Sequence, residues 1–166
     1  MTTIAYRDGV MAADSRCSDD TTHTFLTKTH KIFRLNNKAL LGLAGEADCR
    51  DLIAVMDKCS LKKLPTKNEL ANTKTEATGI LAWPNGKVFA LEVHKVEDKE
   101  GEWSGGLFEV EERFFAVGTG QELALGAMAA GKGAVDAVAI ACRYDNNSSP
   151  PIRQEMFIKQ KEKANG

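Results

Sequence analysis

The first third of the chain alternates apolar and polar residues in a pattern that predicts two β-hairpins. Strand-forming stretches at 2–6 and 9–16 lie on either side of Asp8-Gly9, a dipeptide typical of a tight two-residue turn. Residues 31–35 and the apolar run at 39–45 flank Asn-Asn-Lys in the same way. We therefore expect four antiparallel strands in this region.

Helical spacing begins after the second hairpin. Apolar residues recur one helical turn apart in residues 46–59, which predicts an amphipathic helix that starts just after Gly45. Residues 68–77 are compatible with a short second helix beyond Pro65. The polar stretch at 17–27 is predicted to be a loop.

The third hairpin is the clearest in the sequence. Residues 78–83 and 87–94 flank Pro-Asn-Gly, a strong turn signal. The charged stretch at 95–106 is predicted to be a solvated loop or an exposed hairpin tip, and residues 113–120 a strand that runs into a turn.

Helices dominate the C-terminal part. Residues 121–131 and 134–145 have helical spacing around Gly-Lys-Gly, residues 152–158 predict a last strand, and residues 159–166 predict a frayed polar tail. Hairpin strands with one helix pair in the middle and another near the end predict an α+β fold. Two antiparallel sheets stacked between helix layers would bury the apolar side of every element.

Length and charge indicate one globular domain over residues 1–166. The chain is 43% hydrophobic and 27% charged, and it is long enough to bury a sizeable core. A net charge of −1 gives no basic field, so we expect neither a nucleic-acid partner nor a membrane partner. Arg7, Asp8 and Asp14 leave no apolar leader, and the four cysteines are scattered as in a reduced, cytoplasmic protein.

No pattern in the sequence predicts a metal or a cofactor. The three histidines and the four cysteines lack the spacing of metal ligands. Residues 118–123 (GTGQEL) lie between a predicted strand and a predicted helix, as a dinucleotide loop does. However, Leu123 stands where the third glycine of that loop belongs.

Thr2 has two interpretations. The simple one is a residue that favours a strand. In the other, removal of Met1 makes Thr2 the N-terminus, where it carries both a nucleophilic hydroxyl and a base, its own α-amine. An α-amine has a pKa of about 7.7–8.0, so it can accept a proton near neutral pH.

An ordered set of short segments resembles the proteasome β subunits and their bacterial HslV-type relatives. The segments are TTIAYRDGVMAADSR, KTHKIFRL, ALLGLAGEAD, FAVGTGQELALGAM and DNNS. Members of this family are N-terminal nucleophile (Ntn) hydrolases. The resemblance therefore implies a four-layer αββα sandwich and a threonine-type endopeptidase that hydrolyses peptides or unfolded proteins. The last segment favours the proteasome branch.

The resemblance also implies a set of site residues. Thr2 matches the catalytic threonine, Lys31 the active-site lysine, and Asp14 the acidic residue that holds this lysine. Gly42 matches the residue whose backbone N–H faces the oxyanion. Three further residues match the group around the terminal amine, namely Thr119 (usually serine in the family), Asp145 and Ser148.

These implied roles agree with elementary chemistry. A Lys31 ammonium beside Thr2 would disfavour protonation of the amine and stabilise the deprotonated hydroxyl. Asp14 would keep Lys31 charged and in place. An N–H of Gly42 would donate to the tetrahedral oxyanion.

Substrate preference and assembly follow from the same resemblance. The family's specificity pocket is lined by positions that match Thr29, Leu40 and Ala44, all uncharged, so we expect an apolar or small residue before the cleaved bond. The implied assembly is a homo-oligomeric double ring, with an ATP-dependent unfoldase as a candidate partner. Two alternatives remain, namely a catalytically inactive ring subunit and a small-molecule amide hydrolase of the same superfamily.

Overall fold

The computed structural model describes residues 2–18, 24–26, 30–46 and 48–157. In chain order the elements are β1 Thr3–Arg7, β2 Val10–Ala13, β3 Arg16–Ser18, β4 Thr24–Leu26, β5 Ile32–Arg34, β6 Leu40–Gly45, α1 Arg50–Lys58, α2 Lys67–Ala71, β7 Ala77–Ala82, β8 Val88–Lys95, β9 Trp103–Val110, β10 Phe114–Gly118, α3 Gln121–Ala129, α4 Ala134–Tyr144 and β11 Arg153–Met156. The predicted tail, residues 159–166, lies outside the described residues.

Two antiparallel sheets form the centre of the molecule. One has the strand order β10-β1-β2-β11 and the other β5-β6-β7-β8-β9. Helices α3 and α4 pack on the four-stranded sheet, and α2 packs on β8 and β9 of the five-stranded sheet and against α1. The layers follow the order αββα, so the predicted α+β fold of two antiparallel sheets is confirmed.

Three apolar cores hold these layers together. The core between the sheets includes Ile4, Met11, Ile32 and Ile80, all buried. A second core lies between the five-stranded sheet and helices α1 and α2, and a third, rich in alanine, between the four-stranded sheet and helices α3 and α4. Because side chains alternate along β1, Ile4 belongs to the core between the sheets and Ala5 to the alanine-rich core.

The β1–β2 hairpin places the carboxylate of Asp14. Asp8 and Gly9 have φ values of 48° and 85°, as a type I′ turn requires, which confirms the turn predicted at this dipeptide. Ile4 pairs with Ala13, so the next residue, Asp14, stands opposite Thr3. The Asp14 N–H donates to the Thr3 carbonyl at 3.1 Å. The turn chemistry thus fixes which residue faces the start of the chain.

Two segments predicted as loops contain strands. Residues 16–18 and 24–26 form a short antiparallel ladder, whereas 19–23 and 27 lie outside the described residues. The stretch predicted as a solvated loop at 95–106 contains the first half of β9. Gly105 and Gly106 obscured this strand, but Gly105 is there because α2 packs directly on it: a Cβ at this position would lie 2.6 Å from the Leu70 Cβ.

The helices after β6 are shorter than the sequence pattern predicts. Helix α1 begins at Arg50 instead of residue 46, and α2 has five residues, with Thr66 and Glu69 forming a capping box at its start. Among the described residues, no helix has the length and hydropathy needed to cross a bilayer.

The close contact at Gly105 gives a stability prediction. Gly105→Ala should lower the free energy of unfolding by roughly 1–3 kcal/mol, because the added methyl forces α2 away from β9. The matched control is Gly126→Ala in α3, where an added Cβ meets nothing within 4 Å. That change should raise the stability by about 0.5–1 kcal/mol, since alanine is the better helix former. Urea unfolding of both variants measures the two effects, and a neutral Gly105→Ala would contradict the packing described.

Candidate active site

The Asp14 carboxylate is a buried acceptor for four donors. Its Oδ1 accepts from the Thr3 N–H at 2.9 Å and from Lys31 Nζ at 2.8 Å. Its Oδ2 accepts from the backbone N–H groups of Arg16 at 3.0 Å and Ser149 at 3.2 Å. Both oxygens therefore face only donors, which is the arrangement that suits an ionised carboxylate.

Lys31, immediately before β5, forms a buried ion pair with Asp14. The side chains are 7% and 0% exposed, respectively. Lys31 Nζ also donates to the Arg16 carbonyl at 2.5 Å. An ammonium held in this way by a carboxylate and a carbonyl has lost most of its freedom to reorient. The pair predicted from the sequence is thus formed in the structure.

Thr2 lies next to this pair. It is 6% exposed, and its carbonyl accepts from the Thr119 N–H at 2.9 Å, which extends the β1–β10 ladder by one residue. Alternation along the strand puts the Thr2 side chain on the same face as Ile4, toward the five-stranded sheet. Since Asp14 Oδ1 binds both Lys31 and the Thr3 N–H, the lysine ammonium is held beside the Thr2–Thr3 peptide.

A second polar group lies at the end of α4. Asp145 Oδ2 accepts from the Ser148 hydroxyl at 2.6 Å and from the Thr119 hydroxyl at 2.9 Å, and Oδ1 accepts from the Asn147 N–H at 3.1 Å. Burial raises the pKa of Asp145, but these hydrogen bonds outweigh it, so the pKa lies below its usual value. Asp145 is therefore ionised at neutral pH.

The glycines of the Gly-Thr-Gly segment permit the close approach of β1. Gly118 has a φ of 95°, and a Cβ there would lie 1.8 Å from the Thr2 carbonyl oxygen. A Cβ at Gly120 would lie 2.3 Å from Thr3 Oγ1 and 3.2 Å from Asp145 Oδ2. Packing against the N-terminal residues therefore explains both glycines, and a bound nucleotide is not needed to explain the segment.

Gly42 differs from the sequence prediction. In β6, the Leu43 N–H donates to the Lys31 carbonyl on the β5 side, and the Glu46 N–H donates to the Glu76 carbonyl on the β7 side. Because successive N–H groups of a strand point to opposite sides, the Gly42 N–H points toward β7 and the Gly45 N–H toward the side of Lys31. The structure thus makes Gly45, and not Gly42, the better candidate oxyanion donor.

The predicted pocket residues also need correction. Leu40 is fully buried and Ala44 is 7% exposed, both in the core between the sheets, so Leu40 has no surface to offer a substrate. Thr29 lies outside the described residues. By strand alternation, Leu40, Gly42 and Ala44 share one face of β6. However, that face packs on the other sheet, which a single strand's sequence does not reveal.

A cleft of about 310 Å³ opens beside the buried ion pair. Its lining residues come from β2, β5 and β11 and the residues next to them: Ala13, Asp14, His30, Lys31, Ile32, Arg153, Gln154 and Glu155. Glu155 pairs with Arg34 across the gap at 2.7 Å. The walls of this cleft are thus more polar than the uncharged specificity pocket predicted from the sequence.

The Cys142 thiol of α4 is a weak candidate nucleophile. Burial and the charge of Asp14 raise the pKa of the Cys142 thiol to about 11, against a smaller opposing effect of Lys31. A thiol with this pKa is a poor nucleophile at neutral pH. Among the described residues, no group of three or more His, Cys, Asp or Glu side chains is arranged to hold a metal ion.

Comparison with known structures identifies the fold. The chain is similar to the Thiobacillus denitrificans BPH protein in complex with epoxomicin, with a TM-score of 0.65 and 20% identity over 94% of this chain and 97% of that one. It is also similar to HslV from Trypanosoma brucei, with a TM-score of 0.62 and 17% identity over 93% and 97%. A Gly-1 mutant of Anbu from Hyphomicrobium gives 0.61 and 13% over 95% and 82%.

The chain has the proteasome-like Ntn-hydrolase fold. Identities of this size establish the fold and nothing finer. No protein-family model matches the sequence, and the search of curated proteins found no match either. The resemblance stated from the sequence is thus confirmed for the fold.

Sequence reasoning missed several members of the site. Thr3 was considered only as a strand former, yet its N–H, carbonyl and hydroxyl all bind within the site. The N–H of Ser149 and the carbonyl of Arg16 were not considered either. The available signals were the second threonine and the two glycines around Thr119, which only the close approach of β1 explains.

The lowered pKa of Asp145 predicts an acid-dependent loss of stability. A carboxyl whose pKa is lower in the folded chain stabilises it above the unfolded pKa, near 3.9, and this contribution is lost as the pH falls through the folded value. Asp145→Asn should therefore be less stable than wild type at pH 7, and the difference should shrink below about pH 4. Urea unfolding across this range measures it, with exposed Glu111→Gln as the control. A difference that does not depend on pH would contradict the ionised network.

Proposed function

We propose that the chain is an N-terminal threonine peptidase, with Thr2 as its nucleophile once Met1 has been removed. The observation that carries this proposal is the shared Asp14 Oδ1, which binds Lys31 Nζ at 2.8 Å and the Thr3 N–H at 2.9 Å. One buried carboxylate thereby holds a lysine ammonium beside the residue that follows Thr2. A merely structural ion pair would not need to lie at this point of the chain.

The chemistry assigned to Thr2 is acyl transfer. Its α-amine takes the hydroxyl proton as Thr2 Oγ1 attacks the carbonyl carbon of the peptide bond. The resulting oxyanion is stabilised by backbone N–H groups, with Gly45 as the candidate donor. The protonated amine then gives its proton to the leaving amine. Water hydrolyses the ester in the second half of the cycle and restores both the hydroxyl and the amine.

Lys31 and Asp145 act on the protonation of the amine in different ways. The Lys31 ammonium disfavours a second positive charge nearby, which lowers the pKa of the amine and keeps it basic but unprotonated near neutral pH. Ser148 Oγ donates its proton to Asp145, so toward the amine it can act only as an acceptor. As an acceptor beside the Thr2 amine, Ser148 Oγ would hold one N–H of this amine. The lone pair of the amine nitrogen would then remain available for the proton of the Thr2 hydroxyl.

The Asp14 geometry predicts the ranking of three variants. Thr2→Ala should abolish hydrolysis of a fluorogenic peptide and leave the fold intact, because it removes one hydroxyl and little volume. Lys31→Ala should lower kcat almost as far. Asp14→Asn should lose roughly 3–5 kcal/mol of stability as well as activity, because an amide nitrogen at either oxygen position would face two donors.

The measurement uses processed chains whose intact mass shows that Met1 is absent, and circular dichroism verifies the fold. Thr2→Ser is the matched control, since it keeps a hydroxyl at the same atom. Full activity of Thr2→Ala would end the proposal. An inactive wild type with a free Thr2 would favour the inactive ring subunit instead.

We also propose that the chain acts as a homo-oligomeric ring. The fold it shares with HslV supports this assembly, and several apolar side chains are exposed on the single chain: Phe108, Leu123, Tyr144 and Met156. Native mass spectrometry at micromolar concentration should show one oligomer of defined size. A stable monomer that hydrolyses small amides would contradict the ring and favour the small-molecule amide hydrolase.

A further inference from the structure

Thr3 uses every one of its polar groups within the site. The residue is fully buried. Its N–H donates to Asp14 Oδ1 at 2.9 Å, and its carbonyl accepts from the Asp14 N–H at 3.1 Å. Its hydroxyl lies 2.6 Å from Ser148 Oγ and accepts from the Gly120 N–H at 3.1 Å.

The direction of the hydrogen bond between the two hydroxyls follows from counting protons. Ser148 has one hydroxyl proton, and it goes to Asp145 Oδ2 at 2.6 Å. Thr3 must therefore donate its own proton to Ser148 Oγ. The chain of bonds runs in one direction, from the Gly120 N–H through Thr3 and Ser148 to the ionised Asp145. Each hydroxyl in it donates once and accepts at least once.

Thr3 thus joins the two polar groups of the site. Its backbone belongs to the Asp14–Lys31 pair, and its side chain belongs to the Ser148–Asp145 pair. Both pairs thus bind the same residue, Thr3, and Thr2 is its direct neighbour in the chain. Any rotation of the chain at Thr3 would move the hydroxyl and the amine of Thr2 relative to both pairs.

We propose that Thr3 is a positioning residue for the nucleophile, and that its hydroxyl sets the orientation of Thr2. This inference rests on the proposed function. The hydroxyl does not touch the substrate or the reacting atoms. It holds Thr3 against Ser148 and Gly120, so that Thr2 meets Lys31 in one geometry. A strand former without a hydroxyl at position 3 would keep the fold and lose this constraint.

The test compares Thr3→Val, which is nearly isosteric and lacks the hydroxyl, with Thr3→Ser, which keeps it. Both are prepared with Met1 removed, as checked by intact mass, and assayed with a fluorogenic peptide well below the unfolding temperature. Thr3→Val should lower kcat at least about tenfold and change KM by less than about twofold, since the loss concerns the reacting geometry and not the substrate site. Thr3→Ser should recover most of the lost kcat.

Thr75→Val is the matched control for the loss of a buried threonine hydroxyl. Thr75 is 4% exposed, and its hydroxyl donates locally, to the Thr73 carbonyl at 3.2 Å. The Thr75→Val variant should retain the wild-type kcat. Should Thr3→Val fail to fold, Thr3→Ala takes its place in the comparison with Thr3→Ser, and the same loss of kcat is expected.

The outcomes separate this inference from the proposed function. A wild type that is inactive with a free Thr2 refutes the proposed function, and the positioning role falls with it. An active wild type whose Thr3→Val variant keeps its kcat within about twofold refutes the positioning role alone. An equal loss of kcat in Thr75→Val, or no recovery in Thr3→Ser, also refutes it, because a general loss of stability or volume would then explain the effect.

Discussion

The geometry of the site depends on one buried carboxylate, that of Asp14. It binds Thr3 at the start of β1, Lys31 before β5, and two backbone N–H groups, those of Arg16 and Ser149. These four donors come from four separate stretches of the chain. A buried charge is tolerated only with such compensation, because desolvation of an unpaired carboxylate costs several kcal/mol. The same requirement that stabilises the charge therefore brings both sheets and the chain start to one point.

A second constraint acts from the helical side. Asp145, at the end of α4, accepts hydroxyl protons from Ser148 and Thr119, and Thr3 completes this network. The close approach of Thr2 and Thr3 to this network depends on Gly118 and Gly120. Any side chain at either glycine would collide with these two threonines. The N-terminal segment is thus held by two polar groups. The proposed chemistry needs such rigidity, because the nucleophile and its base both belong to Thr2, and a shift of this residue displaces both of them.

Local signals in the sequence were enough for the hairpins and the C-terminal helices. Asp8-Gly9 specified the turn, and the turn in turn placed Asp14 opposite Thr3. Other features depended on contacts that no local pattern carries. Strand β9 was missed because its glycines weaken the pattern, and those glycines are explained only by the packing of α2 on Gly105. The burial of Leu40 required knowing which face of β6 meets the other sheet.

The site was predictable where it follows the resemblance and not where it depends on register. The Asp14–Lys31 and Ser148–Asp145 pairs that the matched segments imply are formed, and both bind Thr3. The direction of the Gly42 N–H depends on the pairing of β5 with β6, and a shift of one residue reverses it. Thr3 was missed for a related reason: its role lies in bonds to residues more than a hundred positions away.

The central claim is that the α-amine of Thr2 must be free for the chain to cleave peptides. The most direct test places a removable extension immediately before Thr2, so that a site-specific protease releases this residue in the assembled protein. Peptide hydrolysis should be absent before release and appear as the extension is removed, with an unchanged circular dichroism spectrum. Equal hydrolysis with the extension still attached would contradict the account.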